Sequence, residues 1–141
     1  MAKSFVDTRH AKSVEYRRVL EKIQKEDKCP FCPENFKWHL KQVLTENDRW
    51  FITTSRWPYK NVEHHLLLIC KSHRERFESL SQYDLAKMRS LVFWACTRFK
   101  IEGAALAIRF GDTAFTGATV KHLHFHLIVP KKGKVVNFPI G

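Results

Sequence analysis

Beyond Asp112 the chain carries no aspartate or glutamate, and over its 141 residues 25 lysines and arginines stand against 14 acidic residues, for a net charge of +11. The missing carboxylates argue against a metal-dependent hydrolase built on the C-terminal histidines, because an ion held there for catalysis would ordinarily call on acidic ligands as well. There is no run of about 18 apolar residues, the length a membrane-crossing helix needs. The opening residues Met1 to Asp7 lack the apolar centre of a signal peptide, so a cytoplasmic location is the expectation. With only four cysteines, a disulfide framework is not expected in that compartment. Intrinsic disorder is excluded by 44% hydrophobic and 13% aromatic residues, a globular composition. A chain of this length suits one domain with a sizeable core.

The excess of positive charge points to an anionic partner. Nucleic acid, a nucleotide polyphosphate and simple solubility all satisfy it. Because the basic residues are spread along the chain rather than gathered in one arm, a dedicated nucleic-acid surface is the less favoured of these.

Most chemistry is concentrated in Lys121-His122-Leu123-His124-Phe125-His126-Leu127-Ile128-Val129-Pro130. In a strand successive side chains point to opposite faces, so His122, His124 and His126 share one face, and Leu123, Phe125, Leu127 and Val129 share the other. The imidazoles then follow one another at about 6.6 Å, two strand residues of about 3.3 Å each. One histidine in such a place is most simply a half-buried polar residue. Three in strict alternation suggest either metal ligation or nucleophilic catalysis by a neutral imidazole, which needs no separate base to attack.

Upstream, Ser13 to Lys25 has a rough helical spacing with a narrow apolar stripe, and is read as an N-terminal helix. Cys29-Pro30-Phe31-Cys32-Pro33 follows. Its CxxC spacing allows one ion to be held by both thiols, or redox chemistry. The absence of a preceding strand and the presence of Pro33 favour metal. Cys70 and Cys96 lie in apolar surroundings, where cysteine behaves as a small hydrophobe, so histidines are the better further ligands. Gln42 to Thr45 and Trp50 to Thr54 flank the turn-rich Glu46-Asn47-Asp48-Arg49 and predict a hairpin. After the Trp57-Pro58-Tyr59 loop, His65 to Cys70 reads as a central strand. Ser81 caps a helix whose stripe, Leu85, Met88, Val92, Ala95, Cys96 and Phe99, runs to about Lys100 and is core. Gly103 is expected to stop it, and Ala104 to Phe110 to return as a strand. The stretch Gly111 to Val120, with two glycines and three threonines, offers amides and hydroxyls without bulk, as a phosphate-binding loop does.

The segment His122-x-His124-x-His126-Leu127-Ile128, preceded by Gly117-Ala118-Thr119-Val120-Lys121, resembles the motif of the histidine-triad superfamily of nucleotide hydrolases and transferases, over roughly Cys29 to Pro130. The resemblance implies an α+β fold: an antiparallel sheet of about five strands with the long helix packed on it. Length and spacing give a single domain over residues 1–141, with the N-terminal helix at about 13–25, the motif core at about 29–130 and a basic tail at 131–141, and the resemblance leaves that helix and tail unaccounted for. From its zinc-bearing members come the ligand set Cys29, Cys32, His73 and His122 for a structural zinc ion. His124 is implied as the nucleophile, His126 and His65 as its catalytic support, and Gly117, Ala118 and Thr119 with His126 as the phosphate-binding residues.

The implied reaction is attack on the α-phosphate of a nucleotide conjugate or dinucleoside polyphosphate, adenosine being the expected base, through a nucleotidyl-histidine intermediate. The Trp57-Pro58-Tyr59 and Thr116 to Thr119 segments are closest to the diadenosine tetraphosphate phosphorylase branch. A homodimer is implied too. The alternative from another class is a zinc-stapled RNA-binding module in which the triad is vestigial.

Overall fold

Asn47 shows how the sheet begins. Its side-chain oxygen accepts from the amides of Arg49 and Trp50, both at 2.9 Å, and its own amide donates to the Trp50 carbonyl at 2.9 Å. The chain is thereby reversed between β1 (Val43–Glu46) and β2 (Trp50–Thr54). The structure, a computed structural model, describes residues 4–36, 39 and 41–141. Before the hairpin lies α1 (Val14–Glu26), and after it come β3 (Val62–Cys70), α2 (Gln82–Arg98), β4 (Ala105–Ile108), the short α3 (Thr113–Thr116) and β5 (His124–Pro130).

The five strands form one antiparallel sheet in the order β1-β2-β3-β5-β4. This is the expected α+β arrangement. β3 is three residues longer at its start than the apolar run His65 to Cys70 predicts, and it lies at the centre, where near-continuous burial matches that run.

One face of the sheet holds Trp50, Ile52, Leu66, Leu68, Leu123, Phe125 and Leu127. Against them α2 packs Leu91 and Ala95, with Met88, Val92 and Phe99 beside them. Leu91, absent from the predicted stripe, is thus central to it, whereas Leu85 and Cys96 are only half-buried. A capping box starts α2: the Asp84 amide donates to the Ser81 hydroxyl at 3.0 Å, and the Ser81 amide to the Asp84 carboxylate at 2.8 Å. The indole of Trp50 donates to the Asp84 carbonyl at 2.7 Å, which ties helix to sheet. The helix ends sooner than Gly103 suggests. Phe99 is its C-cap and Lys100 takes the left-handed conformation, with φ 51°, so the turn is made by a lysine. β4 is also shorter than the run Ala104 to Phe110.

The other face carries Phe51, Leu67 and Ile69, covered by Phe31 and Phe36, and continues into His65, His124 and His126. Over this side lies α1, a placement the sequence did not foretell, capped by the Ser13 hydroxyl accepting from the Tyr16 amide at 3.0 Å and buried through Leu20 and Ile23 against Val6 and Val120. Residues 5–7 pair with the segment before β5: the Asp7 amide donates to the Thr119 carbonyl at 2.9 Å and the Lys121 amide to the Phe5 carbonyl at 2.8 Å. The buried Asp7 carboxylate accepts from the Thr113 hydroxyl at 2.8 Å, and its charge is further held by Arg9. The loop between β4 and β5 is therefore clamped from the N-terminal side. Among the described residues no helix is long and apolar enough to cross a membrane.

Candidate functional site

The two cysteines of the knuckle meet the two histidines named with them. His73 comes from the turn after β3, and His122 from just before β5, which begins at His124 rather than at His122. The Nδ1 atoms of His122 and His73 lie 3.2 Å apart. Cys29 Sγ is 3.3 Å from His122 Nδ1, and Cys32 Sγ is 3.6 Å from His73 Nδ1 and 3.7 Å from His122 Nδ1. All four ligand atoms fall within 4.8 Å of one another. A tetrahedral ion with bonds of about 2.3 Å to sulfur and about 2.0–2.1 Å to nitrogen would separate its ligands by about 3.3–3.8 Å.

The hydrogen bonds settle which nitrogens face inward. His122 Nε2–H donates to the Cys70 carbonyl, and His73 Nε2–H donates to the Glu75 carboxylate at 3.2 Å, leaving both Nδ1 lone pairs aimed into the same space. Such outer partners are those that orient metal-bound histidines. Burial pushes the Cys32 thiol up to about 12, with Cys29 adding to it. Burial likewise holds His122 down to about 3. Two unprotonated Nδ1 atoms facing each other at 3.2 Å are unfavourable neighbours without a cation between them, and with two thiols at tetrahedral spacing around them the donor set fits a thiophilic divalent ion, whose binding would displace the thiol protons.

A second relay runs beside it. The Tyr59 amide donates to His65 Nδ1 at 3.2 Å, so the proton of His65 sits on Nε2, which donates to His126 Nδ1 at 2.8 Å. His126 in turn presents Nε2–H. His124 Nδ1–H donates to the His122 carbonyl at 2.7 Å, which leaves a lone pair on His124 Nε2. The rings of His124 and His126 are 4.9 Å apart. Burial drives all three imidazoles towards neutrality, to about 4 for His65 and His124 and well below the ordinary value for His126. The arrangement thus sets a neutral imidazole with a bare nitrogen next to a neutral N–H donor.

Both open onto a cleft of about 560 Å³ between α1 and the sheet. Gly117, Ala118, Thr119, His65, His124 and His126 line it. Gly117 has φ 71°, the left-handed region, and closes α3 as its C-cap. A Cβ there would lie 2.7 Å from the Gly141 carbonyl oxygen, so this position must stay bare. The Thr119 hydroxyl shares a hydrogen bond with the Tyr16 hydroxyl, and Tyr16 stacks on Trp57 with ring centres 5.0 Å apart. Lys12, Arg56, Lys60 and Arg109 are also in the lining, and among the described residues no carboxylate side chain is.

Sequence reasoning missed several of these residues. Tyr59 stands parallel to His126 at 5.9 Å and 9°, and Arg109 donates to its hydroxyl at 3.1 Å. The signal for Arg109 was available in alternation. Ala107 pairs with His126 and Ile108 with Phe125, so the next residue of the edge strand falls level with His124. The basic tail is part of the site as well. Asn61 donates to the Val135 carbonyl at 3.0 Å, Phe138 packs its ring 5.2 Å from His126, and Arg109 Nε donates to the Pro139 carbonyl at 3.0 Å. No pattern in residues 131–141 foretells this return.

An α+β sheet with three alternating histidines leading into an inner strand, the first of them shared with a Cys2His2 cluster, defines a narrow structural class. A model of the HIT domain matches residues 39–133, more than half of the chain, and the chain belongs to the HIT family. Among solved structures it resembles a histidine triad nucleotide-binding protein from Candida albicans, with 24% identity over 81% of this chain and 82% of that one and a TM-score of 0.64. It also resembles a zinc-bound histidine triad family protein from Mycobacterium smegmatis, with 22% identity, 81% and 83% coverage and a TM-score of 0.59. A histidine triad protein from Clostridium difficile shares 21% identity over 79% of this chain and 96% of its own, with a TM-score of 0.60. At such identities the likeness speaks for the fold. A comparison with curated proteins gives no match.

Proposed function

We propose that the protein transfers a nucleoside monophosphate from a nucleotide conjugate or dinucleoside polyphosphate to water or another acceptor. The observation that carries this reading is the fixed pair of protonation states: a bare Nε2 on His124 next to an Nε2–H on His126, set by the bonds at 2.7 and 2.8 Å. His124 Nε2 attacks the α-phosphorus, and the bond to the leaving atom breaks with its electron pair. His126 Nε2–H donates to the reacting phosphate or the departing atom, while His65 holds His126 in the required tautomer. The Gly117 to Thr119 segment offers amides and a hydroxyl to the non-bridging oxygens. Water or phosphate then takes the nucleotidyl group, and the imidazole lone pair returns to His124.

Cys29, Cys32, His73 and His122 would hold a zinc ion. Bound there, it contributes cross-linking of the knuckle to the sheet rather than chemistry at the phosphate. A reducing compartment such as the cytoplasm keeps both thiols available as ligands. The homodimer reading is supported by exposed apolar residues, Phe93 on α2 and Leu106 on the edge strand β4, and sedimentation tests it. Adenosine is the base we favour, and a diadenosine tetraphosphate phosphorylase is the alternative within the family.

The test is incubation with adenylyl-lysine, a phosphoramidate, and with diadenosine tetraphosphate, followed by product analysis and mass spectrometry of acid-quenched protein. Release of AMP with a transient adenylyl adduct on His124 supports the reading. The RNA-binding alternative predicts tight binding of random RNA with a steep loss on adding salt, since each neutralised phosphate releases counterions. That result, without nucleotide binding, overturns the enzyme.

A further inference from the structure

The cleft holds more positive charge than a single nucleotidyl phosphate requires, and two of the cations meet on Tyr59, the wall beside His126. Lys12 Nζ stands 4.0 Å over the centre of the Tyr59 ring, whose plane is parallel to His126. Arg109 reaches the same tyrosine from the other direction, through its hydroxyl. The rest of its fork is fixed: the guanidinium lies 3.8 Å over Phe138 and both Nε and Nη2 donate to the Pro139 carbonyl. That leaves Nη1 without a hydrogen bond among the described residues. Neither Lys12 nor Arg109 has a carboxylate partner among them. The two charges act on each other, since burial and then the Arg109 charge lower the affinity of Lys12 for its proton. Both also help keep His65 and His126 neutral. Like charges that share one cleft without a carboxylate partner are stabilised by an anion placed between them.

We propose, building on the function above, that Lys12 and Arg109 form a receptor for the phosphate groups beyond the α-phosphorus, so that the preferred substrates are those whose leaving group is a polyphosphate. When His124 attacks, the new nitrogen–phosphorus bond forms as the bond from phosphorus to the bridging oxygen breaks. The electron pair stays on that oxygen, and the nucleotide or polyphosphate departs with an added negative charge that the two cations neutralise. No proton has to be delivered. A phosphoramidate is different, because its leaving nitrogen departs as an amine and must take a proton, which His126 Nε2–H supplies. Lys12 and Arg109 therefore discriminate between leaving groups, while the histidines serve both.

The experiment has a binding arm and a kinetic arm, each on the full chain. In calorimetry ATP should bind at least about tenfold tighter than AMP to the wild type, the worth of one or two charge-assisted contacts. Lys12→Met should remove most of that advantage and leave the AMP dissociation constant within about twofold, and Lys12→Arg should restore it. In kinetics Lys12→Met should lower kcat/KM for diadenosine tetraphosphate about tenfold or more while its adenylyl-lysine turnover stays within about threefold, and the double variant with Arg109→Gln should lower diadenosine tetraphosphate cleavage further. If AMP binds and ATP gains nothing over it, or if both substrates lose rate equally, the leaving-group receptor is wrong and the nucleotidyl-transfer reading stands. If neither nucleotide binds, both fall together. Arg109→Lys keeps the charge but not the fork, so its retention of the ATP preference would support charge as the discriminating property. Loss of that preference in a folded Arg109→Lys protein, with Lys12→Met silent, would overturn the two-cation assignment.

Discussion

Replacing His65 by leucine should cost far more activity than stability, and the difference can be worked from two hydrogen bonds. His65 is 4% exposed, accepts from the Tyr59 amide at 3.2 Å and donates to His126 Nδ1 at 2.8 Å. Leucine leaves both partners buried without a bond, at about 1–3 kcal/mol each. Burial of a larger apolar surface, and relief from desolvating an imidazole, offsets about half of that. The net loss is about 1–3 kcal/mol, a fall of a few degrees in Tm for a chain of this size. The chemical effect is larger. Without a donor facing it, His126 Nδ1 becomes the protonated nitrogen, and Nε2 turns from donor into acceptor, pointing a lone pair at the phosphate. Removing one preorganised donor costs about 10²–10³ in rate. Single-turnover cleavage of adenylyl-lysine, with AMP binding and thermal unfolding measured on the same preparation, separates the two effects. His65→Gln, whose amide can donate to His126 Nδ1, should recover to within about tenfold of wild type, the residue being the lost acceptor for Tyr59. A leucine variant within about threefold of wild type, or a glutamine variant as slow as the leucine one, refutes tautomer control by His65.

Protein purified without added metal should contain about one zinc per chain, because a closed site with two thiolates retains its ion. Elemental analysis below about 0.2 per chain in folded protein, or a His122→Ala variant that keeps both metal and Tm, would end that assignment. His124→Ala should abolish turnover with fold and zinc intact, and His124→Gly should regain some activity with free imidazole. Cleavage above about a tenth of the wild-type rate in His124→Ala is incompatible with a covalent nucleophile. Stability should fall as pH drops from about 6.5 towards 4, since His65, at about 4 in the folded protein, and His126 bind protons less readily than in the unfolded chain. Urea titrations at several pH values, with zinc content checked, would contradict this if stability stayed level or rose on acidification.

The sheet and its two main helices were legible because their signals are local. Alternation in Leu123 to Val129 and the continuous run before Cys70 each report a strand directly, and Ser81 with Asp84 marks a helix start. The end of α2 near Lys100 was legible too, but not the residue that stops it, because Lys100 itself adopts a left-handed backbone that sequence preference assigns to glycine. Cys29 and Cys32 announce themselves through spacing, and the resemblance named His73 and His122, which the fold brings against them. What the sequence hid is everything that depends on two distant segments meeting. Tyr59 became a wall of the site only because β3 and β5 pair with Leu67 opposite His126. Phe138 and Pro139 reach Arg109 through a return of the chain that no periodicity records.

The contact between Gly117 and Gly141 bears on how this protein can diverge. Any side chain at position 117 would strike the returning tail, and the tail in turn holds Arg109 through Pro139. A lineage that shortened or rebuilt residues 135–141 would free position 117 to vary while releasing the guanidinium from its place. Loop and tail are therefore expected to drift as a pair, with changes in one tolerated only on the background of changes in the other, although 24 residues of chain separate them.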